Sequence, residues 1–120
     1  MKIDSTEFGS ITVNGALYTH DILIQLSGEV VKRKKKLSKK YYGTSHIISL
    51  EEAEFVYEKG CDTLVVGAGQ YGNVKLSLEA AEFFEHRGCR VILMPTPGAI
   101  EAYNKTRGKA KAIGLFHVTC

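Results

Sequence analysis

Two segments carry the residue types that can do chemistry. The first is Gly67-Ala68-Gly69-Gln70-Tyr71-Gly72, which follows the short apolar run Thr63-Leu64-Val65-Val66. A backbone this rich in glycine can turn sharply, visit positive φ and let a second group come very close, so it marks a binding edge at the end of a strand. Its letters match the G-x-G-x-x-G dinucleotide fingerprint. That fingerprint also needs the glycines to open a helix whose first amides face a pyrophosphate. Here Val74-Lys75-Leu76 delays the helix to Ser77, and the next strand ends at Met94-Pro95-Thr96 instead of near an acidic residue for a ribose. A tight turn presenting Gln70 and Tyr71 at a sheet edge fits better. The second segment is Tyr41-Tyr42-Gly43-Thr44-Ser45-His46. Ser45 and His46 are adjacent, which is the wrong geometry for a nucleophile and its base. His46 is read either as a structural hydrogen-bonding residue or as a ligand contact or acid–base group working near neutral pH.

A third element belongs with these. Pro95-Thr96-Pro97 is rigid and follows a second apolar strand. If the two apolar strands are parallel neighbours, Gly67 to Gly72 and Pro95 to Pro97 share one edge, the carboxyl edge at which open α/β sheets bind ligands. A helix opening at Pro97 would aim its first amides there and favour a small anion or carboxylate. Tyr103 and Asn104 follow within two turns and are read as packing or capping residues. His117 lies on the last strand and is read as structural. The four histidines are too dispersed for a metal site, and no His-Glu-x-x-His, Gly-x-Ser-x-Gly or P-loop lysine motif occurs. No metal and no cofactor is expected.

The elements that must position these residues follow from pattern. Phe8 to Val13, Asn14-Gly15 and Ala16 to Tyr18 form a hairpin, because a two-residue turn needs positive φ at both central residues. Asp21 to Leu26, Ser27-Gly28 and Glu29 to Arg33 form a second. Helix and strand then alternate. Ser49 with Glu52 three residues on reads as a capping box. Leu50, Ala53, Val56 and Tyr57 share one face, and Gly60 closes the helix. A strand runs from Asp62 to Val66. Ser77 caps a second helix with Leu78, Ala81 and Phe84 inward and Gly88 closing it. Arg90 to Met94 is a strand, Thr96-Pro97 opens a third helix with Ile100 and Tyr103 inward, and Ala112 to Val118 is the last strand. Thr63 to Val66 and Val91 to Met94 are apolar without alternation, as in strands covered on both faces. The helix between them implies a parallel pair.

The chain of 120 residues suits one domain spanning 1–120. No apolar run reaches the roughly 18 residues that cross a membrane, and Met1-Lys2-Ile3-Asp4 lacks a signal peptide's apolar core, so a cytoplasmic protein is expected. Cys61, Cys89 and Cys120 are odd in number and unpaired in spacing, against a disulfide framework or zinc site; Cys61 and Cys89 read as small buried residues. The net charge of +3 is concentrated in Lys32-Arg33-Lys34-Lys35-Lys36-Leu37-Ser38-Lys39-Lys40, seven cations in nine positions. Such a run can meet phosphates, with Tyr41 and Tyr42 to stack. Its partial alternation fits a charge-protected sheet edge better.

In their order along the chain, these pieces resemble the Mth938-like domain family: Thr6-Glu7-Phe8-Gly9-Ser10-Ile11, Tyr18-Thr19-His20-Asp21, Gly28-Glu29-Val30 with the basic run, Tyr42 to His46, Gly67 to Gly72, Pro95-Thr96-Pro97 with Ala102-Tyr103-Asn104, and Phe116-His117. The chain looks like a minimal archaeal or bacterial member. The resemblance implies a three-layer α/β fold with a mixed central sheet, extended here by N-terminal antiparallel hairpins. It implies no established catalytic activity, cofactor or active-site residue; eukaryotic relatives look like assembly or regulatory proteins, including a mitochondrial complex I assembly factor. The expected function is a small-ligand-binding or assembly module with a pocket at the carboxyl edge of the central strands. Gly67, Gly69, Gln70, Tyr71, Pro95, Thr96 and Pro97 would form its floor, with Ser45 and His46 as polar contacts to a small polar or anionic ligand. A protein partner or homo-oligomer stays open. The alternatives are an enzyme using His46 as acid/base and, behind it, a nucleic-acid binder through the run from Lys32 to Lys40.

Overall fold

A computed structural model describes residues 2–120. Ten strands and four helices alternate along them: β1 Ile3–Glu7, β2 Ser10–Val13, β3 Ala16–Tyr18, β4 Ile22–Ile24, β5 Val30–Lys32, α1 Lys36–Tyr42, β6 Ile47–Ile48, α2 Leu50–Val56, β7 Thr63–Ala68, β8 Lys75–Leu76, α3 Leu78–His86, β9 Arg90–Met94, α4 Thr96–Thr106 and β10 Ala112–His117. The central sheet runs β5-β4-β10-β7-β9. It is mixed: β10, β7 and β9 are parallel, while β4 is antiparallel to β10 and β5. β1, β2 and β3 form a separate antiparallel sheet, and β6 pairs with β8 as a two-stranded parallel ribbon.

Side-chain alternation along β7 builds the layers. Leu64, Val66 and Ala68 point to one face, where they meet Ala53 and Val56 of α2 and Ala80 and Phe84 of α3. Val65 points to the other, onto Ala99 and Tyr103 of α4 and the inner residues Ile3, Ile11 and Val13 of the small sheet. With both faces covered, β7 and β10 are buried at all six positions, and their lack of sequence alternation is explained. Asn104 ties the third layer together: its amide donates to the Ile3 carbonyl at 2.9 Å and its carbonyl accepts from the Ile3 amide at 2.9 Å.

The local signals hold at Ser49 and Ser77, whose hydroxyls accept from the amides of Glu52 and Ala80 at 3.1 Å. Other expectations are corrected. Gly60 does not close α2, which ends at Tyr57 in extended conformation. The Glu52 carboxylate does not return to its own cap, because Arg33 claims it. Leu50 and Leu78 sit at the outer ends of their helices and are exposed. The basic run is neither one strand nor wholly solvated: Lys32 ends the edge strand β5, Arg33 is buried, and the rest enters α1. Gly43 caps α1 at φ 70°, with Lys39 and Lys40 in its last turn, where cations suit the helix dipole. Cys61 and Cys89 are free and buried with their sulfurs 3.4 Å apart. No helix of the described residues is long and apolar enough to cross a membrane.

Candidate functional site

The loops after β7, β9 and β10 converge at the carboxyl edge of the parallel strands. Thr96 is their knot. Its hydroxyl donates to the His117 carbonyl at 2.7 Å and accepts from the Gly69 amide at 2.9 Å, while its own amide donates to the Gly69 carbonyl at 3.0 Å. The glycine turn is consumed internally in the same way: the Gln70 amide goes to the Thr119 carbonyl, that of Gly72 to Gly69, that of Asn73 to Cys120 and that of Val74 to Ala68. Two glycines are required by contact. A methyl group on Gly67 would lie 2.7 Å from the Phe116 ring and 2.9 Å from the Thr96 hydroxyl. Gly69 combines a φ of +96° with the Cys120 backbone against its α-carbon.

The segment carrying Ser45 and His46 does fold over this edge. The β6–β8 ribbon clips it there, and the Lys75 amide donates to the His46 carbonyl at 2.9 Å. The half-buried His46 ring meets the buried His117 ring edge-on, with centroids 5.2 Å apart. Of the nine expected site residues, Gly67, Gly69, Ser45 and Thr96 are buried, whereas His46, Gln70, Tyr71, Pro95 and Pro97 reach solvent. Gln70 also donates to the Thr6 hydroxyl at 3.1 Å. Tyr71 is 72% exposed and leans on Phe8, 57% exposed, at 6.0 Å between ring centroids.

Beneath the edge lies a buried ionic chain that no sequence spacing announces. Arg33 donates through Nε and Nη2 to Glu52 at 2.7 and 3.0 Å, through Nη1 to Asp21 at 2.9 Å, and through Nη2 to the Ser45 carbonyl at 2.8 Å. The Ser38 hydroxyl adds a hydrogen bond to Glu52. Asp21 also accepts from the Val118 amide at 3.0 Å and faces His117 Nδ1 at 2.7 Å. A carboxylate only accepts, so Nδ1 carries the proton; in the neutral ring Nε2 then accepts from the Thr119 hydroxyl, 3.2 Å away. Carboxylate, imidazole and hydroxyl therefore stand in series beside His46. No group of three or more His, Cys, Asp or Glu among the described residues can hold a metal ion.

Burial pushes the Asp21 carboxyl up, but the His117 hydrogen bond, the Val118 amide and the charges of His117 and Arg33 together bring it from 3.8 to about 2. Burial pulls Arg33 down, and Glu52 and Asp21 more than reverse it, so its guanidinium is held above its ordinary range. A depressed carboxyl stabilises the fold above its unfolded pKa, and that contribution fades as pH falls toward the folded value. Asp21 is expected to contribute about 2 kcal/mol above about pH 4, lost progressively toward about pH 2. Urea midpoints for wild type and Asp21→Asn over this window check it: the variant's curve should be flatter, and parallel curves would rule the assignment out.

Sequence reasoning placed His117 as structural but gave Asp21, Arg33, Glu52 and Phe8 no part in the site. The sequence offered an aspartate opening an apolar strand, an arginine closing a strand, a capping-box glutamate and a phenylalanine beside a glycine, none of them a signal of a site.

The sequence matches, over residues 3–117, a family model described as a protein of unknown function (DUF498/DUF598). Among solved structures, the conserved hypothetical protein PH1505 from Pyrococcus horikoshii OT3 is similar at TM-score 0.94 and 38% identity, with 100% of both chains covered. A protein named MT938 is similar at TM-score 0.83 and 31% identity, covering 99% of this chain and 98% of that one. A Bordetella pertussis protein described as a Mth938-like domain shares the fold at TM-score 0.63 and 19% identity, over 98% and 85% of the two chains. No curated protein matches.

Proposed function

The chain belongs to the DUF498/DUF598 family of Mth938-like proteins, whose function is unknown, and from that premise we propose that it is a binding or assembly module whose contact surface is the carboxyl edge of the central strands. Gly67, Gly69, Ser45 and Thr96 shape this surface from below; His46, Gln70, Tyr71, Pro95 and Pro97 present it, joined by Phe8.

The carrying observation is the Phe8–Tyr71 pair, two rings left largely in water where the β1–β2 turn meets the glycine turn after β7, in which the Gln70, Gly72, Asn73 and Val74 amides are bonded internally. Aromatic groups on a rigid frame are typical anchors of protein interfaces. A buried small anion would instead need free donors and an enclosed volume. The cavities around Tyr103, around Tyr42 and around Lys34 all lie away from the nine residues. The favoured occupant is a segment of a partner protein that covers the two rings with an apolar side chain and hydrogen-bonds His46. Three cations of the basic run are engaged elsewhere, which weakens the nucleic-acid reading: Arg33 is buried, Lys40 pairs with Glu51 at 2.7 Å and Lys34 lies 4.6 Å from the Phe55 ring centroid.

Affinity capture from the native cytosol, run in parallel with wild type, Phe8→Ser/Tyr71→Ser and the control Leu17→Ser, tests this. A partner held by wild type and by Leu17→Ser should bind at least about tenfold more weakly to the double variant, a loss of about 1.4 kcal/mol. Equal retention by all three would overturn the reading. A thermal-shift screen of small metabolites on wild type and His46→Ala forms the second arm: a stabilising hit lost in the variant would replace the protein partner with a small polar ligand. One observation favours a second reading, acid–base catalysis with His46: the series Asp21, His117 and Thr119 beside it.

A further inference from the structure

At the opposite end of the sheet, where β7 and β10 begin, a cavity of about 530 Å³ opens between the β4–β5 turn, the loop after α2 and the end of α4. Lys59 lines it from the loop after α2, and Arg107 and Lys111 from the loop that joins α4 to β10. None of the three joins an ion pair among the described residues. Two carboxylates stand close in sequence to this wall, and each is already bonded to the protein. Glu58 accepts from the Leu26 amide at 2.8 Å, and Asp62 accepts from the Lys111 amide at 3.1 Å and the Thr63 hydroxyl at 3.0 Å.

Tyr103 adds a neutral donor. It is only 2% exposed, with its ring edge-on to Phe116 at 5.8 Å, and it lines the same cavity. Every fully enclosed side-chain nitrogen or oxygen among the described residues has a hydrogen-bond partner. The Tyr103 hydroxyl has none, so it must reach the cavity space. Burial raises this phenol above its ordinary range, more than Arg107 lowers it, and it stays protonated. Opening onto the cavity, the hydroxyl is free to donate a hydrogen bond to a ligand held there.

We infer that this cavity binds a small organic polyanion, its charged oxygens met by Arg107, Lys59, Lys111 and the Tyr103 hydroxyl, and its carbon frame by Leu26 and Ala112. The volume lies within the roughly 300–1,000 Å³ usual for small-molecule sites. Arginine offers a planar fork matched to phosphate and carboxylate oxygens, and three unpaired cations suit a ligand of charge two or more. This site is separate from the carboxyl edge and does not depend on the reading given for that surface.

Calorimetric titration of the full chain with glycerol 3-phosphate and with citrate, at constant ionic strength, tests the inference. Saturable binding to at least one anion is expected below about 1 mM, and the tighter of the two identifies phosphate or carboxylate as the recognised group. Arg107→Gln should weaken it about tenfold. Tyr103→Phe, which keeps the ring on Phe116, should weaken it about threefold. Lys109→Gln, an exposed cation outside the cavity, should leave it unchanged. No saturable binding of either anion, or equal losses in Lys109→Gln and Arg107→Gln, would overturn the site.

Discussion

Arg33→Met is expected to lower the unfolding free energy by about 3–5 kcal/mol, the range for removing one partner of a buried ion pair. The guanidinium makes two hydrogen bonds to Glu52, one to Asp21 and one to the Ser45 carbonyl, and its side chain is 1% exposed. Methionine fills much of the volume, so a cavity is not the main loss. The loss is two buried carboxylates without their counter-charge, which must take up protons or draw in water. Urea denaturation of Arg33→Met, Glu52→Gln and the double variant separates this from simple truncation. Once Glu52 is neutral, removing Arg33 should cost less, with a coupling of about 1–3 kcal/mol. Wild-type stability in Arg33→Met would remove the ionic chain from any role in holding the Ser45–His46 segment.

Gly69→Ala is expected to cost about 2–4 kcal/mol, combining left-handed backbone strain with overpacking. The added methyl carbon would sit 2.3 Å from the Cys120 carbonyl carbon, 2.5 Å from its oxygen and 2.8 Å from the His117 ring. Relief requires the segment from Thr119 to Cys120 to move, which breaks the hydrogen bonds it accepts from Gln70 at 2.7 Å and Asn73 at 3.3 Å. Gly108→Ala is the control, because a methyl group there meets nothing within 4 Å. Thermal unfolding of the two variants should separate them clearly. If Gly69→Ala melts with Gly108→Ala, the close packing of the β7 turn against the end of β10 is not required.

Much of this architecture was legible because its causes are local. Unbroken apolar runs identified β7 and β9, serine caps set the starts of α2 and α3, and Asn14-Gly15, with φ of 50° and 79°, set the β2–β3 turn. Pro97 placed the start of α4, and with it the shared edge of the glycine turn and the proline segment. What escaped depends on distant partners. β1 is a polar strand, Ile-Asp-Ser-Thr-Glu, held by β2 and Asn104. β6 and β8 have two residues each and exist only as each other's partner. α1 was hidden because a lysine-rich stretch serves equally as an exposed strand, a loop or a short helix, and its buried face rests on Ser38 alone.

The site divides along the same line. Gly67 and Gly69 announced themselves by type, but whether Thr96 contacts a ligand or knots the loops depends on the His117 carbonyl, 21 residues away. Asp21 and Arg33 are 12 residues apart, and Arg33 and Glu52 19. Neither interval is a period of helix or strand, so only the assembled fold brings them together.

The strand order also carries a timetable. β10 lies between β4 and β7 in the central sheet, yet it is the last strand to leave the ribosome among those described. Until it emerges, the β4–β5 hairpin and the β7–β9 pair have no direct backbone link, and each keeps an unpaired edge facing the gap. A chain in which β10 has not yet docked therefore leaves both of those edges open, and open edges can recruit wrong partners. Docking of β10 completes the sheet and brings His117 to Asp21 in the same event.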